Sequence, residues 1–589
     1  MRVPFGGRVV RGFVLALSET TTREELEPVK GVVIETPLAA PPFDEIVSNI
    51  ARRYVVPRGR AFARIVPPRV RVEELASPGA AQTSIDPERL SSYVGGEALV
   101  TALQARKPGV WCVQALPGED RGALIAEMVG ALGGGTALVL VPEVRYGSAV
   151  LDRLGDVFPG FARLDSARDD MERSSAWVAM AAGHRWGGGG RSAALAPSPD
   201  LGLIVVDEEH HQTYKEDRGP RYDARWVAAS RAETQGAACV FISSSPSVEA
   251  GWGAASGRYG SIVADRSSRR AARPVVELVE RPEDRAIGHE LHERISSVLR
   301  EGGSAALLAP SPAFARAVWC GECRRSLRCP RCEAGLFFDR SARRVRCARC
   351  GFIGEAPETC PSCGAAEFKL VGAGTERLEG QLEKSFPRAR IHRVDPAHPV
   401  AVSDADVDIY LTTWMGTKPA LRPDVSLVGV LDADWLIRRP DFRSAESAYQ
   451  AMVEMAEWAG PAADGGRLMI QTAEPNHHSL QAVVRADYDF FLRRELEQRR
   501  ELMYPPFVEI VKVSIEGPGS AEAAEAVRSA VVPVSVRVLG PVELTRGDNA
   551  PTLQLLIKCN SAEPVSDALR VILEGAPKGV RIAVDVDPR

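Results

Sequence analysis

The stretch Val110–Met128, VWCVQALPGEDRGALIAEM, has the layout of a phosphate-binding loop without its chemistry. An apolar run leads into a Gly-containing turn and then into a helix-like segment, the strand–loop–helix setting of a nucleotide site. Where G-x-x-x-x-G-K-[ST] is needed, the chain reads Ala115-Leu116-Pro117-Gly118-Glu119-Asp120-Arg121-Gly122. Further on, LGLIVVDEEHH (201–211) carries an apolar run onto Asp207 and Glu208. That is the acidic half of the same kind of site, the half that would hold Mg2+ and a water.

Outward from this stretch, strand-like apolar runs alternate with helical segments. GVWCVQAL, TALVLVPE, LGLIVVDEE and AACVFISSS form one block; SAALLAP, ARIHRVD, DIYLTT, SLVGVLDAD and RLMIQTAEP form a second. Each block predicts a parallel α/β sheet. Two such sheets in tandem are the layout of a two-lobed nucleic-acid motor, although a fold by itself does not establish activity. From Tyr504 onward, the order of runs predicts a small α+β sandwich of βαββαβ type.

The chain has 589 residues, 45% hydrophobic and 25% charged, with a formal net charge of −4. Whole-chain electrostatics therefore announce no nucleic-acid partner, and any basic surface must be local. No apolar run approaches the roughly 18 residues that span a bilayer. The start, MRVPFGGRVVRGFVLALSE, has no small-residue cleavage site after it, so the expectation is a cytoplasmic protein with no membrane partner.

Eight of the 11 cysteines fall in one segment as four C-x-x-C pairs: Cys320/Cys323, Cys329/Cys332, Cys347/Cys350 and Cys360/Cys363. Each pair offers two thiolates to a tetrahedral zinc, so eight ligands imply two Zn2+ per chain. Regular x-x spacing in a reducing compartment fits metal knuckles better than disulfides. Between the second and third pairs, EAGLFFDRSARRVR reads as a hairpin. It would bring Cys329/Cys332 against Cys347/Cys350 and leave Cys320/Cys323 to close with Cys360/Cys363; sequential pairing is the alternative. Nine arginines lie between Arg324 and Arg349. They serve either as counter-charges to the zinc thiolates or as DNA contacts.

Several segments together resemble the bacterial PriA family of replication restart proteins (primosomal protein N′). They are VPFGGRVVRGFV at 3–14, VPEV at 141–144, GRSAALAP at 190–197 and DEEHHQTYKEDRGPRYDAR at 207–225. SSSPSVEA, the four Cys pairs, GAGTERLE, SLVGVLDAD, DFRSAE, IQTAEPNH, RRELMYPPF and the terminal DVDP extend the resemblance over nearly the whole chain. The resemblance implies a partial 3′-end DNA-binding domain at 1–68, a linker or remnant winged helix at 69–107, helicase-like lobe 1 at 108–272 and helicase-like lobe 2 at 273–498. A two-zinc insertion at 318–366 sits inside lobe 2, and a C-terminal α+β domain covers 499–589. The start would then fall inside the 3′-end domain, and 69–107 is short for a winged helix. The family's nested zinc pairing carries over onto the same cysteines.

The departures from the family pattern concern phosphate. Arg121 stands where the family has Lys, Gly122 where it has the Mg2+-binding Thr, and Asp120 where it has Gly. A carboxylate about 4 Å from a phosphate oxygen costs on the order of 4 kcal/mol at an effective dielectric near 20. The family's Q-V-A-G-R-A-G-R is Glu454-Met455-Ala456-Glu457-Trp458-Ala459-Gly460-Pro461 here, with both arginines gone. An arginine finger can contribute roughly 10³–10⁵ in turnover. APSPAF replaces N-R-R-G, and in TTWMGTKPALRPD only Lys418 remains of K-G-x-D-F.

Gly118, Arg121, Asp207 and Glu208 are thus read as a degenerate nucleotide site, with no confident catalytic residue and little support for ATP or Mg2+. The reading is a non-motor scaffold that binds branched or forked DNA, near the nucleoid, and promotes reloading of the replicative helicase. By resemblance its partners are that helicase, its loader and single-stranded DNA-binding protein. A weak ATP-dependent 3′→5′ helicase and a zinc-dependent protein-interaction scaffold are the alternatives.

Overall fold

Leu201–Asp207 is buried along its whole length, as befits a strand inside a parallel sheet covered on both faces. In the computed structural model it is the central strand of a seven-stranded parallel sheet. The strand order is Ala162–Arg163, Trp186–Gly189, Thr136–Leu140, Leu201–Asp207, Ala238–Ser243, Gly109–Gln114, Gly260–Val263. The residues described are 1–5, 7–12, 14, 17–22, 26–32, 42–65, 85–142, 148–283, 285–309, 316–323, 325–330, 336–339, 344–347, 352–355, 357–371, 375–394, 406–413, 423–439, 441–544 and 552–588.

A second parallel sheet has six strands, ordered Val275–Glu280, Arg467–Thr472, Leu427–Val430, Ala305–Ala309, Ile409–Thr413, Ile391–Val394. In both lobes, helices on the two faces separate an inner and an outer core. The class is therefore α/β with two tandem parallel-sheet lobes, as the alternating runs predict. Parallel strands all end at the same edge, so Gln114, Asp207 and Ser243 share the carboxyl edge of the first sheet, where α/β folds bind ligands.

The cysteine-rich segment forms a five-stranded antiparallel sheet, ordered Ile353–Glu355, Arg344–Cys347, Leu336–Asp339, Arg316–Cys320, Phe368–Val371. It enters after the second-lobe strand Ala305–Ala309 and returns before Ile391–Val394. At the C-terminus, Glu509–Glu516, Arg537–Leu544, Thr552–Cys559 and Arg581–Val586 make a four-stranded antiparallel sheet. Helices Ser520–Val531 and Ala562–Glu574 pack on it in βαββαβ order.

The segment 69–107 lies outside the described residues up to 84. Beyond that, Glu88–Ser91 and Gly96–Gln104 are helices whose Leu90, Leu99 and Leu103, with Tyr93 between them, are built into the core of the first lobe. Near the N-terminus, strands Arg2–Phe5 and Arg8–Arg11 form an antiparallel pair. Helix Phe43–Arg53 buries Phe43, Ile46, Val47 and Ile50 in a core shared with helices Ala224–Gln235 and Ala562–Glu574. Its acidic first turn and basic last turn suit the helix dipole. This helix ties the first lobe to the C-terminal domain.

Candidate functional site

Among the described residues, chemistry-bearing side chains gather at the outer cysteine pairs and in the cleft between the lobes.

Strand Arg316–Cys320 delivers Cys320 at its end, and its neighbour Phe368–Val371 pairs Phe368 with Cys320. That pairing brings the turn carrying Cys360 and Cys363 alongside. The amide of Gly321 donates to Glu367 O at 2.8 Å, that of Cys320 to Arg325 O at 3.0 Å and that of Cys360 to Ala365 O at 2.8 Å. Gly364 takes φ +76°, a left-handed turn that glycine accepts without strain.

The Sγ atoms of Cys320, Cys323, Cys360 and Cys363 all lie within 4.8 Å of one another. Cys320 and Cys363 are 3.4 Å apart, Cys323 and Cys360 3.8 Å. A tetrahedron with metal–sulfur bonds of about 2.3 Å has edges of about 3.8 Å, so the four thiols fit one zinc. The Ser362 amide, donating to Cys360 Sγ at 3.4 Å, is the largest influence holding that thiol below its ordinary value. It favours the thiolate that a metal needs. These four meet in the nested arrangement, not the sequential one. Of the inner pairs, Cys329 and Cys347 are buried with Val318, Leu327, Leu336 and Val345, while Cys332 and Cys350 lie outside the described residues. Arg344 is exposed on the same sheet; Arg343 is outside the described residues.

In the cleft, the loop after Gly109–Gln114 is tied down by groups other than phosphate. The Leu116 amide donates to the Tyr93 hydroxyl at 3.0 Å, and that hydroxyl donates to Glu119 Oε2 at 2.8 Å. Arg89 holds the other oxygen of Glu119 at 3.0 Å. Asp120 caps helix Arg121–Ala131, its carboxylate accepting from the Ala123 amide at 3.0 Å. A carboxylate thus stands at the helix N-terminus, where a nucleotide phosphate would sit. Gly118 takes φ +75°. A Cβ at Gly122 would lie 2.9 Å from Cβ and Cγ of Arg153, so the helices are packed too closely there for a threonine.

Arg121 crosses the cleft. Its guanidinium pairs with Glu208, lies 3.5 Å from Asp207 Oδ1 and 3.8 Å from Glu457 Oε2, and is almost fully buried. Burial alone would push Arg121 down, but Asp207, Glu457 and Glu454 hold it above its ordinary value. Glu457 belongs to helix Ser444–Ala459 of the second lobe. Beside it, His210 sits with Nδ1 2.6 Å from Ser243 Oγ and Nε2 2.9 Å from Glu454 Oε1, with Glu208 3.7 Å away. Ligand atoms of Glu208, His210 and Glu454 lie within 4.8 Å of one another, but the Arg121 guanidinium already supplies positive charge there.

The sequence reading placed Arg121, Asp207 and Glu208 in one site, and the structure brings them together. It missed Glu454 and Glu457 as members, because nothing local marks a helix glutamate as the partner of an arginine more than three hundred residues away, and it passed over His210, whose role shows only once Glu454 reaches it. Lys418 lies outside the described residues.

A second set of charges joins the lobes next to the cleft. Glu249, one residue into helix Val248–Ala255, pairs with Arg443 at 2.6 Å and Arg499 at 3.6 Å. Glu446 accepts from Arg499 at 2.8 Å and from the Val248 amide at 2.8 Å. Arg499 also holds Glu495 at 2.9 Å, which in turn pairs with His478 at 3.0 Å. On the far side of the first lobe, Lys215 holds Asp585 at 3.0 Å and donates to Arg221 O at 2.6 Å. Arg53 holds Asp587 at 2.9 Å and Glu509 at 3.3 Å. Asp223, facing Arg225, is held down to about 2 although burial opposes this.

The family model for the 3′ DNA-binding domain matches residues 1–67, and that for the primosomal protein N C-terminal domain matches residues 500–589. The replication restart protein PriA of Bacillus subtilis is 32% identical over 77% of this chain and 60% of its own length. The PriA of Treponema pallidum is 29% identical over 99% of this chain and 94% of its own. The chain thus spans about 60% of the Bacillus relative but nearly all of the Treponema one. Among solved structures, S. cerevisiae Dbp5 bound to RNA and ADP BeF3 covers 72% of this chain and 98% of its own at 10% identity. Its TM-score of 0.36 is too low to bear on function. Among the described residues, no helix is long and apolar enough to cross a membrane.

Proposed function

The chain belongs to the PriA family of replication restart proteins, and we propose that it is a fork-binding scaffold for primosome assembly with no motor of its own. It would recognise branched DNA at an abandoned fork and promote reloading of the replicative helicase, with the helicase, its loader and single-stranded DNA-binding protein as partners. Two zincs per chain would hold the cysteine-rich sheet, one on Cys320, Cys323, Cys360 and Cys363 and one on Cys329, Cys332, Cys347 and Cys350.

The observation that carries the reading is the position of Arg121. It spans from Asp207 and Glu208 to Glu457 and so supplies internally the positive charge that Mg2+ and an arginine finger supply in a working site. A triphosphate arriving there would have to displace it and would meet the carboxylates of Asp120, Glu454 and Glu457. The lobes can hold together without nucleotide, and a cycle that opens and closes them on ATP loses its driving ligand.

The test is DNA binding on its own. Affinity should come from Lys and Arg contacts to phosphates, indifferent to sequence, favouring forks over linear duplex and unaffected by ATP. It should fall by about 0.9 log units per log unit of salt for each phosphate neutralised. Reversing Arg343 and Arg344 to Glu should weaken fork binding without releasing zinc. Unchanged binding with lost helicase loading would make the sheet a protein dock. No preference for forks at any salt would overturn the reading.

A further inference from the structure

The chain crosses from the first sheet to the second through a strongly basic segment. Arg266, Arg269 and Arg270 lie on the short helix Arg266–Ala271, and Arg273 follows just before strand Val275–Glu280. Between this crossing and the end of helix His478–Arg485 opens a cavity of about 360 Å³, lined by Arg266, Arg270, Arg273 and Arg485 with Asp487 and Val483. That volume falls within the roughly 300–1,000 Å³ of small-ligand sites.

Several arginines placed between domains are matched by carboxylates. Arg53 has Glu509 and Asp587, Arg443 has Glu249 and Glu446, and Arg499 has Glu249, Glu446 and Glu495. Among the described residues, the four arginines of the cavity have no such ion pair. Arg485 donates to Gln481 Oε1 at 3.3 Å and stands over the Phe490 ring. Asp487, the carboxylate on the lining, accepts from the Phe490 amide at 2.9 Å as the cap of the next helix. Arg273 is 6% exposed and acts electrostatically on the buried Tyr449 hydroxyl, yet its Nε has no hydrogen-bond partner. Composition does not force this, since the chain has 77 acidic residues against 73 basic ones.

Guanidiniums that converge on a cavity repel one another unless an anion sits between them, and their planar forks match a phosphate's oxygens two at a time. We infer that this junction cavity binds a phosphate group, at a second site distinct from the filled nucleotide cleft. The phosphate comes either from a DNA strand, which rests on the scaffold reading above, or from a small phosphate compound.

The experiment compares the full-length protein with Arg270→Gln/Arg485→Gln, both exposed positions, using inorganic pyrophosphate and a labelled oligo-dT strand as probes. Loss of two charged donors should weaken pyrophosphate binding about tenfold or more with the melting midpoint unchanged, and Arg270→Lys/Arg485→Lys should recover part of it. If strand affinity falls in parallel and the salt slope drops by about 2, the occupant is DNA backbone; if strand affinity holds, it is a small phosphate compound. Equal pyrophosphate affinity in wild type and glutamine variant, or none in wild type at millimolar concentration, overturns the proposal. A wild type that ignores forks but loses pyrophosphate through the variant would sink the scaffold reading and leave this site standing.

Discussion

The lobes meet through two neighbouring charge clusters that tell opposite stories. In the joint around Glu249, Arg443, Glu446 and Arg499, the charges sit in the segments SSSPSVEA, DFRSAE and RRELMYPPF, through which the chain resembles its family. In the cleft, Arg121, Glu454 and Glu457 stand where the family has other residues, with Arg121 paired to Glu457 and Glu454 held by His210. One cluster keeps the lobes docked. The other fills the space that a ligand would need. On the proposed reading, losing a phosphate cradle leaves the architecture intact, because the joint does not draw on the cleft.

The largest expected effect lies away from both clusters and tests whether the cysteine-rich sheet is independent of them. Cys360→Ser should remove the outer zinc and with it much of the metal-binding free energy, about 10–16 kcal/mol in small zinc modules. Proteolysis should then cut within 316–371 while the lobes keep their melting transition. A cooperative collapse of the whole chain would show that the sheet is not a separate module.

Next comes the joint. Arg499→Ala would leave Glu446 and Glu495 buried without their shared cation, a loss of about 3–5 kcal/mol measured by denaturant unfolding. Arg121→Lys, which restores the family's residue in the cleft, should cost far less and bring no ATP hydrolysis, since Asp120 and Glu457 remain. If the two substitutions destabilise equally, the contrast between joint and cleft fails.

A pH test uses two groups of the first lobe outside both clusters: Asp223, and His211, whose Nδ1 accepts from the Thr213 amide at 3.3 Å. Burial pushes His211 down to about 4, so the folded state favours its neutral ring. The unfolded chain binds the extra proton between about pH 6.5 and 4, so this contribution is complete above pH 6.5 and lost as pH falls towards 4. The ring is partly accessible, so the loss should be on the order of 2–3 kcal/mol. Asp223, held down to about 2, keeps its contribution until pH falls below about 4. His211→Asn, keeping an acceptor for the Thr213 amide, should flatten the stability profile between pH 6.5 and 4 and leave the acid limb unchanged.

Much of this was legible in the chain itself. Both parallel sheets and the C-terminal βαββαβ unit follow from apolar runs such as LGLIVVD, whose burial on both faces leaves little alternative to a central strand. The hairpin between the inner cysteine pairs predicted the nesting that brings Cys320, Cys323, Cys360 and Cys363 together. What stayed hidden depends on distance along the chain. Glu457 reads as a helix residue until the second lobe sets it against Arg121, and Lys215 reads as part of a motif until Asp585 arrives from the C-terminus. The basic cavity is equally silent, because Arg273 and Arg485 meet only when the lobes are folded.

The central claim is that Arg121 and its carboxylates have replaced the nucleotide. It is tested most directly by phosphate release from ATP with the purified chain and forked DNA. The account predicts no release above the buffer background, with or without DNA, and the same result for Glu208→Gln. Robust, DNA-stimulated release that Glu208→Gln abolishes would contradict it.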